Sequence, residues 1–184
     1  IQEMGTTFIK LGQFLSTRPD IIGNEIAQQL EILQDKLPPF SSIEAKQIMK
    51  KELGENNYNF LINISEPIAA ASIAQVHKAQ INDNGIIKDI AIKILRPNIK
   101  QTFNEEIDAL MLLAFIIEGT VKKTKRIKLV EFVFLLKDIT NLEMNLRFEA
   151  VAANEFLENT KNDVGFNVPK IFWNFTNENI LTLE

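Results

Sequence analysis

Glu66-Pro67-Ile68-Ala69-Ala70-Ala71-Ser72-Ile73-Ala74-Gln75-Val76-His77 and, after a short turn, Ile90-Ala91-Ile92-Lys93-Ile94-Leu95 are the stretches on which the fold turns. Ala74 to Ile81 alternates in the manner of a strand, and Ile86 to Leu95 does the same. Asn82-Asp83-Asn84-Gly85 between them is a hairpin signal. A third alternating segment, Asn59 to Ile64, precedes the pair, so these residues predict an antiparallel sheet. Pro97 ends the last of the three strands.

Helical periodicity lies on both sides of this sheet. Phe8, Ile9, Leu11, Phe14 and Leu15 recur at helical spacing until Arg18-Pro19-Asp20. A second helix is expected over Ile21 to Leu37, closed by Pro38-Pro39, and a third from a Ser41-Ser42 cap to about Gly54. After Pro97 come two long helical stretches, Ile99 to Thr120 and Leu129 to Glu158. Val168 to Phe175 and Ile180 to Leu183 then read as two more strands, for five in all. The order of helices, three strands, helices and two strands is that of an α+β protein.

Composition removes several classes of function. The 184 residues carry a net charge of −4, against the basic surface of a general nucleic-acid binder. There is no cysteine and a single histidine, His77, so thiolate chemistry, disulfides and histidine metal clusters are excluded. The most apolar run, Ala109 to Ile117, is far shorter than the roughly 20 residues of a spanning helix. Lys122, Lys123, Lys125, Arg126 and Lys128 form one basic cluster, read as a solvated linker or as a contact for acidic lipid headgroups. The chain opens at Ile1 and stops within an apolar pattern at Leu181-Thr182-Leu183-Glu184, so both ends read as cut.

A lysine within an apolar strand is expensive to bury alone. Kinase-like folds place such a lysine, in a V-A-I-K setting, on the nucleotide phosphates and orient it with a helix glutamate. Ile90-Ala91-Ile92-Lys93 fits that setting; the alternative is an edge-strand lysine pointing to water. Where protein kinases carry a glycine-rich turn over the phosphates, this chain carries Ala69, Ala70, Ala71 and Ser72. Alanine narrows the backbone angles and adds a methyl wherever a phosphate approaches, so this turn is stiffer. The alternative is a small-residue turn packed under a helix.

Taken together and in order, Lys10-Leu11-Gly12-Gln13, Ala69 to His77, Ala91-Ile92-Lys93 and Glu143-Met144-Asn145-Leu146-Arg147-Phe148-Glu149-Ala150 resemble the UbiB/ADCK family of atypical kinase-like proteins, from about Gly5 to Glu184. The resemblance implies a kinase-like N-lobe: a five-stranded antiparallel sheet, a helix in the role of the kinase αC, and an N-terminal helical extension. Domain bounds follow as 1–56 for the extension and 57–184 for the lobe, with a helical insertion at about 98–160. Lys10, Gly12 and Gln13 correspond to the family's KxGQ signature over the nucleotide pocket. Ala69 to Ser72 correspond to its alanine-rich loop, Lys93 to the phosphate-binding lysine and Glu149 to that lysine's partner. Glu143 corresponds to the first residue of an ExD signature facing Lys10. On one continuous helix, Glu143 and Glu149 would point about 120° apart and serve two lysines; the alternative is a solvated Glu143 paired with Arg147. The third ExD position is Asn145, which brings no charge toward Mg²⁺ or Lys10. His77 is expected to pack and hydrogen-bond, Gln75 to support the loop, and Trp173 to lie in a core or lobe interface.

The family's catalytic and metal-binding residues lie downstream of Glu184, and no DFG or HRD-like string occurs here. The expectation is therefore nucleotide binding, ATP or ADP with Mg²⁺, with no catalytic residue in this chain and no turnover by it alone. The resemblance also implies support of ubiquinone (coenzyme Q) biosynthesis and a cytoplasmic location, peripheral at the inner membrane. Its implied partners are the nucleotide, a C-lobe or separately encoded partner, and ubiquinone-biosynthesis proteins or lipid at the membrane surface, with no nucleic acid. Some family members carry a polyprenylphenol hydroxylase label; no flavin, haem or iron-binding pattern supports it here. Two further readings remain open: a non-catalytic scaffold or lipid- or partner-binding module from a truncated or split member, and a plain interaction domain whose motif matches are accidental.

Overall fold

Proline, glycine and a change of apolar period divide the chain into its elements. The computed structural model describes residues 5–31, 37–83, 85–121 and 128–184. Helix α1 (Thr6–Ser16) stops before Pro19, as expected. The helix expected over Ile21 to Leu37 is instead α2 (Pro19–Ile22) and α3 (Asn24–Glu31), because Gly23 between them takes φ 84°. Leu37 is not helical, and 32–36 lie outside the described residues. Helix α4 (Ser42–Tyr58) is capped by the Ser41 hydroxyl, which accepts from the amides of Ile43 and Glu44. Its helical geometry breaks at Gly54. Strands β1 (Leu61–Ile62), β2 (Pro67–Ala70), β3 (Ala74–Asp83) and β4 (Ile86–Leu95) follow, then helices α5 (Ile99–Thr120), α6 (Leu129–Glu143) and α7 (Leu146–Thr160), and strand β5 (Ile180–Leu183).

The sheet has five antiparallel strands in the order β1-β3-β4-β5, with β2 also on β3. Its spine is the β3–β4 hairpin, in register from Ala74 opposite Leu95 to Asp83 opposite Ile86. The hairpin turn expected at Asn82 to Gly85 lies between them; Gly85 has φ 88° and its amide donates to Asn82 Oδ1, while Asn84 is outside the described residues.

Five strands were expected, but one comes from a different segment. Val168 to Phe175 is not a strand: it makes one bridge, Ile171 to Leu183, and a 3-10 turn at Trp173–Phe175. The Thr182 hydroxyl donates to the Phe175 carbonyl (2.7 Å) and the Thr182 amide donates to Thr176 Oγ1 (3.1 Å). Backbone pairing is confined to that bridge, where the Phe172 amide donates to the Thr182 carbonyl and the Glu184 amide to the Lys170 carbonyl (both 2.9 Å), and the two threonines tie down the end of the segment. The fifth strand is Pro67–Ala70, expected as loop, which joins β3 across a bulge between Pro67 and Ala69.

Two compact units result. The first comprises 1–36 with 98–142, the second 37–97 with 143–184. In the first, Ile99, Phe103, Ile107 and Ala114 form one buried stripe of α5, joined in the unit's core by Ile9, Ala27, Val133 and Leu136. Phe14 and Phe132 meet edge to face, centroids 5.1 Å apart. In the second, Ala45 and Met49 of α4 pack on Ala79 and Ile81 of β3, Ile90, Ile92 and Ile94 of β4, and Ile180 of β5. Burial of Ala45 and Met49 groups α4 with the sheet, whereas the sequence reading ended the N-terminal extension at residue 56.

Candidate functional site

Strand alternation decides which side of the sheet Lys93 occupies. Ile90, Ile92 and Ile94 face α4 and are buried, so Ala91 and Lys93 stand on the opposite face. Val76 of β3 and Leu181 of β5 lie beside Lys93 in register. On this face Lys93 Nζ lies 2.6 Å from Glu149 Oε2 of α7. Lys93 is 28% exposed and Glu149 48%. A pair this open is worth up to about 1 kcal/mol, so its effect is to aim the ammonium more than to stabilise the fold.

Glu149 reaches that position because the helix expected over Leu129 to Glu158 does not run through. It ends at Glu143 and restarts at Leu146, with Asn145 in extended geometry (φ −125°) as the new N-cap, its Oδ1 accepting from the Arg147 amide. The Leu146 amide donates to the Glu178 carbonyl (2.9 Å), fastening α7 to the approach of β5. The six-residue helical spacing that would set Glu143 and Glu149 about 120° apart is therefore absent. So is the continuous turn that an i, i+4 pairing of Glu143 with Arg147 presupposes. Asn145, expected to matter as a missing charge, is a helix cap. Glu149 is consequently in the first turn of α7, where the helix dipole favours a carboxylate.

The alanine-rich segment is anchored from below. Ala69 and Ala70 end β2; Ala71 donates its amide to the Ala74 carbonyl (2.8 Å), closing a tight turn around Ser72, which is buried. Arg96, which the sequence reading did not single out, donates Nε and Nη2 to the Ala71 carbonyl (3.0 and 2.9 Å) and Nη2 to the Pro38 carbonyl (2.9 Å). Its own amide donates to the Ile73 carbonyl (2.8 Å). The turn is thus held at both Ala71 and Ile73 by the residue that follows β4. Backbone carbonyls leave no mark in a sequence, so only the position of Arg96 just past the lysine strand could have hinted at this.

His77 packs and hydrogen-bonds, as expected, while the side-chain bonds of Gln75 run to Phe40 and His77 and not to the turn. Both are fully buried. Gln75 Oε1 accepts from the Phe40 amide (2.9 Å), and its Nε2 lies 3.3 Å from the Phe40 carbonyl and 2.9 Å from His77 Nε2. His77 Nδ1 is 2.8 Å from the Ser65 carbonyl. A carbonyl only accepts and an amide nitrogen only donates, so the imidazole proton belongs on Nδ1 and Nε2 accepts from Gln75.

Among the sequence-predicted residues, Lys93 and Glu149 are in direct contact, while Ala69 and Ala70 end strand β2 and Ala71 and Ser72 form the turn into β3. Lys10 and Gln13 lie one turn apart on α1 of the first unit, with Gly12 buried between them. Glu143 closes α6 and belongs to the second unit. Among the described residues no group of three His, Asp or Glu could hold a metal ion, and no helix is long and apolar enough to cross a membrane. Residues 122–127, most of the basic cluster, are outside the described set.

A five-stranded antiparallel sheet carrying a strand lysine paired with a helix glutamate is the N-lobe of a protein-kinase-like fold. Comparison with known proteins agrees, since residues 32–184 match the ABC1 atypical kinase-like domain. The chain belongs to that family. It is similar over its whole length to the "Probable protein kinase UbiB" of Vibrio cholerae serotype O1 strain M66-2 (35% identity over 185 residues), of Marinobacter nauticus (34% over 185) and of Xanthomonas campestris pathovar campestris strain B100 (34% over 187). It spans about a third of each relative's length, 34%, 33% and 34% respectively.

Proposed function

We propose that this chain is a nucleotide-binding lobe that takes the phosphates of ATP or ADP on Lys93, beneath the turn Ala69 to Ser72. The single observation that carries this is the 2.6 Å contact of Lys93 with Glu149 on the face of the sheet opposite α4. A phosphate oxyanion is the ligand that such a held, partly open ammonium fits. The stiff turn supports the reading, because its anchored backbone is set before a ligand arrives. The described residues fit the phosphates and not Mg²⁺, for which they offer no carboxylate cluster, so the ion is expected to enter with the nucleotide. Phosphoryl transfer by the 184 residues alone is not expected, because they contain no HRD or DFG-like string. Similarity to proteins named "Probable protein kinase UbiB" supports a role in ubiquinone biosynthesis, and the proposed partners are proteins or lipid of that pathway at a membrane surface.

The test is calorimetric titration of the chain with MgATP and MgADP. Saturable binding is expected. Lys93→Ala should weaken it by about ten- to a hundredfold, the worth of about 1.5–3 kcal/mol for a hydrogen bond to a charged group. Glu149→Gln should have a smaller effect, since the ammonium remains but is no longer aimed. If wild type binds no nucleotide, or Lys93→Ala binds as well as wild type, the phosphate role is wrong and the scaffold reading takes its place.

A further inference from the structure

The end of the sheet remote from Lys93 holds a cavity of about 480 Å³, within the range of small-molecule sites. It lies beside the β3–β4 turn. Ile81 of β3 lines it, five residues from the partner of Lys93, Val76, or about 17 Å along the strand. Four aromatic residues line it, Phe60, Phe172, Trp173 and Phe175, with Ile171 beside them and three asparagines, Asn57, Asn82 and Asn174. No lining residue is ionisable.

Two features distinguish this hollow from a packing defect. Phe60 is 53% exposed and Trp173 48%, so two of the large lining residues remain half open to solvent instead of closing into the core. Trp173, expected in a core or a lobe interface, is not in the core: it is half exposed and lines the cavity. The asparagines are held in place: Asn57 Nδ2 donates to the Asn174 carbonyl (3.0 Å), and Asn82 Oδ1 accepts from the Gly85 amide (2.8 Å). Rings offer flat apolar faces, and amides offer donors and acceptors without charge. Lys88, opposite Ile81 in register, sits 5.9 Å from the Phe172 ring centroid but does not line the cavity.

We infer that this cavity is a second binding site, separate from the phosphate-binding face, for a neutral planar aromatic molecule with a hydrogen-bonding edge. Four aromatic lining residues favour a flat ligand, and the uncharged amides suit its polar edge. An anion would lose its hydration with no lining cation to replace it.

The chain's single tryptophan is Trp173, so the site reports on itself. The probes are 2-naphthamide and 2-naphthoate, which share a ring system and differ in charge, titrated into the ¹⁵N-labelled chain. The expected result is a saturable 1:1 shift of the Trp173 indole and Asn57 side-chain resonances with 2-naphthamide, and binding of 2-naphthoate at least tenfold weaker. Trp173→Ala should weaken 2-naphthamide at least tenfold. Phe60→Ala, at a half-exposed ring, should do so severalfold with the amide spectrum otherwise preserved. Lys93→Ala should leave the affinity unchanged, which keeps the outcome independent of the nucleotide reading. Equal affinity for the two probes, no saturable shift at Trp173, or unchanged binding in both ring variants would overturn the proposal.

Discussion

Arg96 shows how much of this lobe depends on a side chain with no signature. Its guanidinium is bonded to the carbonyls of Ala71 and Pro38 and lies 6.0 Å from the Phe40 ring centroid. Removing it leaves carbonyls beneath the turn without their charged donor. Arg96→Ala should therefore lower stability by about 1–3 kcal/mol, read from urea unfolding, and also weaken nucleotide binding. Arg96→Lys should recover only part of the loss, since a point ammonium cannot replace a two-nitrogen fork. A variant with wild-type stability and affinity would show that the turn holds without the arginine. Lys93 was legible in the sequence because an isolated charge among isoleucines breaks a strand pattern. Arg96 was not, because its partners are backbone carbonyls 25 and 58 residues away. Gln75 and His77 fall between: two polar residues on the buried side of a strand call for hydrogen bonds, but not for identifiable partners.

At the scale of elements, alternation and helical period placed β3, β4, β5, α1 and α5 close to where they occur. Errors gathered where side chains compete with backbone pairing. Val168 to Phe175 has the apolar content of a strand, yet it pairs with β5 only around Ile171 and then turns at Trp173–Phe175, with Thr176 and Thr182 bonded at its end. The segment that begins at Pro67 reads as a turn, yet Pro67–Ala70 is strand β2, with the proline at its first position. Asn145 lies within an unbroken helical pattern, and its capping geometry sets where α7 starts and hence where Glu149 stands. Asn145→Ala should remove that cap at a cost of about 1 kcal/mol, while Asn145→Asp, which caps equally well, should retain wild-type stability. Thermal melts of the two variants decide this. Equal melting of Asn145→Ala and wild type would mean that the Leu146 amide bond to Glu178 alone fixes the helix start. The aspartate variant separates capping from charge at this position, because it adds a carboxylate without altering the cap. Any gain in its Mg²⁺-dependent nucleotide affinity would then be electrostatic.

Across the whole molecule, polar surface does not cover the apolar content. The residues that α5 and α6 leave outward include Phe115 at 71% exposed and Leu112 at 62%, with Leu113, Phe134 and Leu135 also exposed. Single exposed apolar residues are ordinary in folded proteins, but several on two helices amount to a surface that water disfavours. The charge does little to oppose association, since −4 over 184 residues is a weak repulsion at physiological salt. The folded chain should therefore bind a hydrophobic dye such as anilinonaphthalene sulfonate and should self-associate as its concentration rises in sedimentation velocity. The double substitution Leu112→Glu with Phe115→Glu should lower dye binding and shift the population toward monomer. Because both side chains already face outward, each change should alter stability by no more than about 0.5 kcal/mol. That combination of outcomes distinguishes a surface effect from partial unfolding, which would raise dye binding and lower the melting temperature together. A wild-type chain that stays monomeric and dye-free at every concentration tested would show that these side chains pack against one another in solution, and the exposure of α5 and α6 would need to be redrawn.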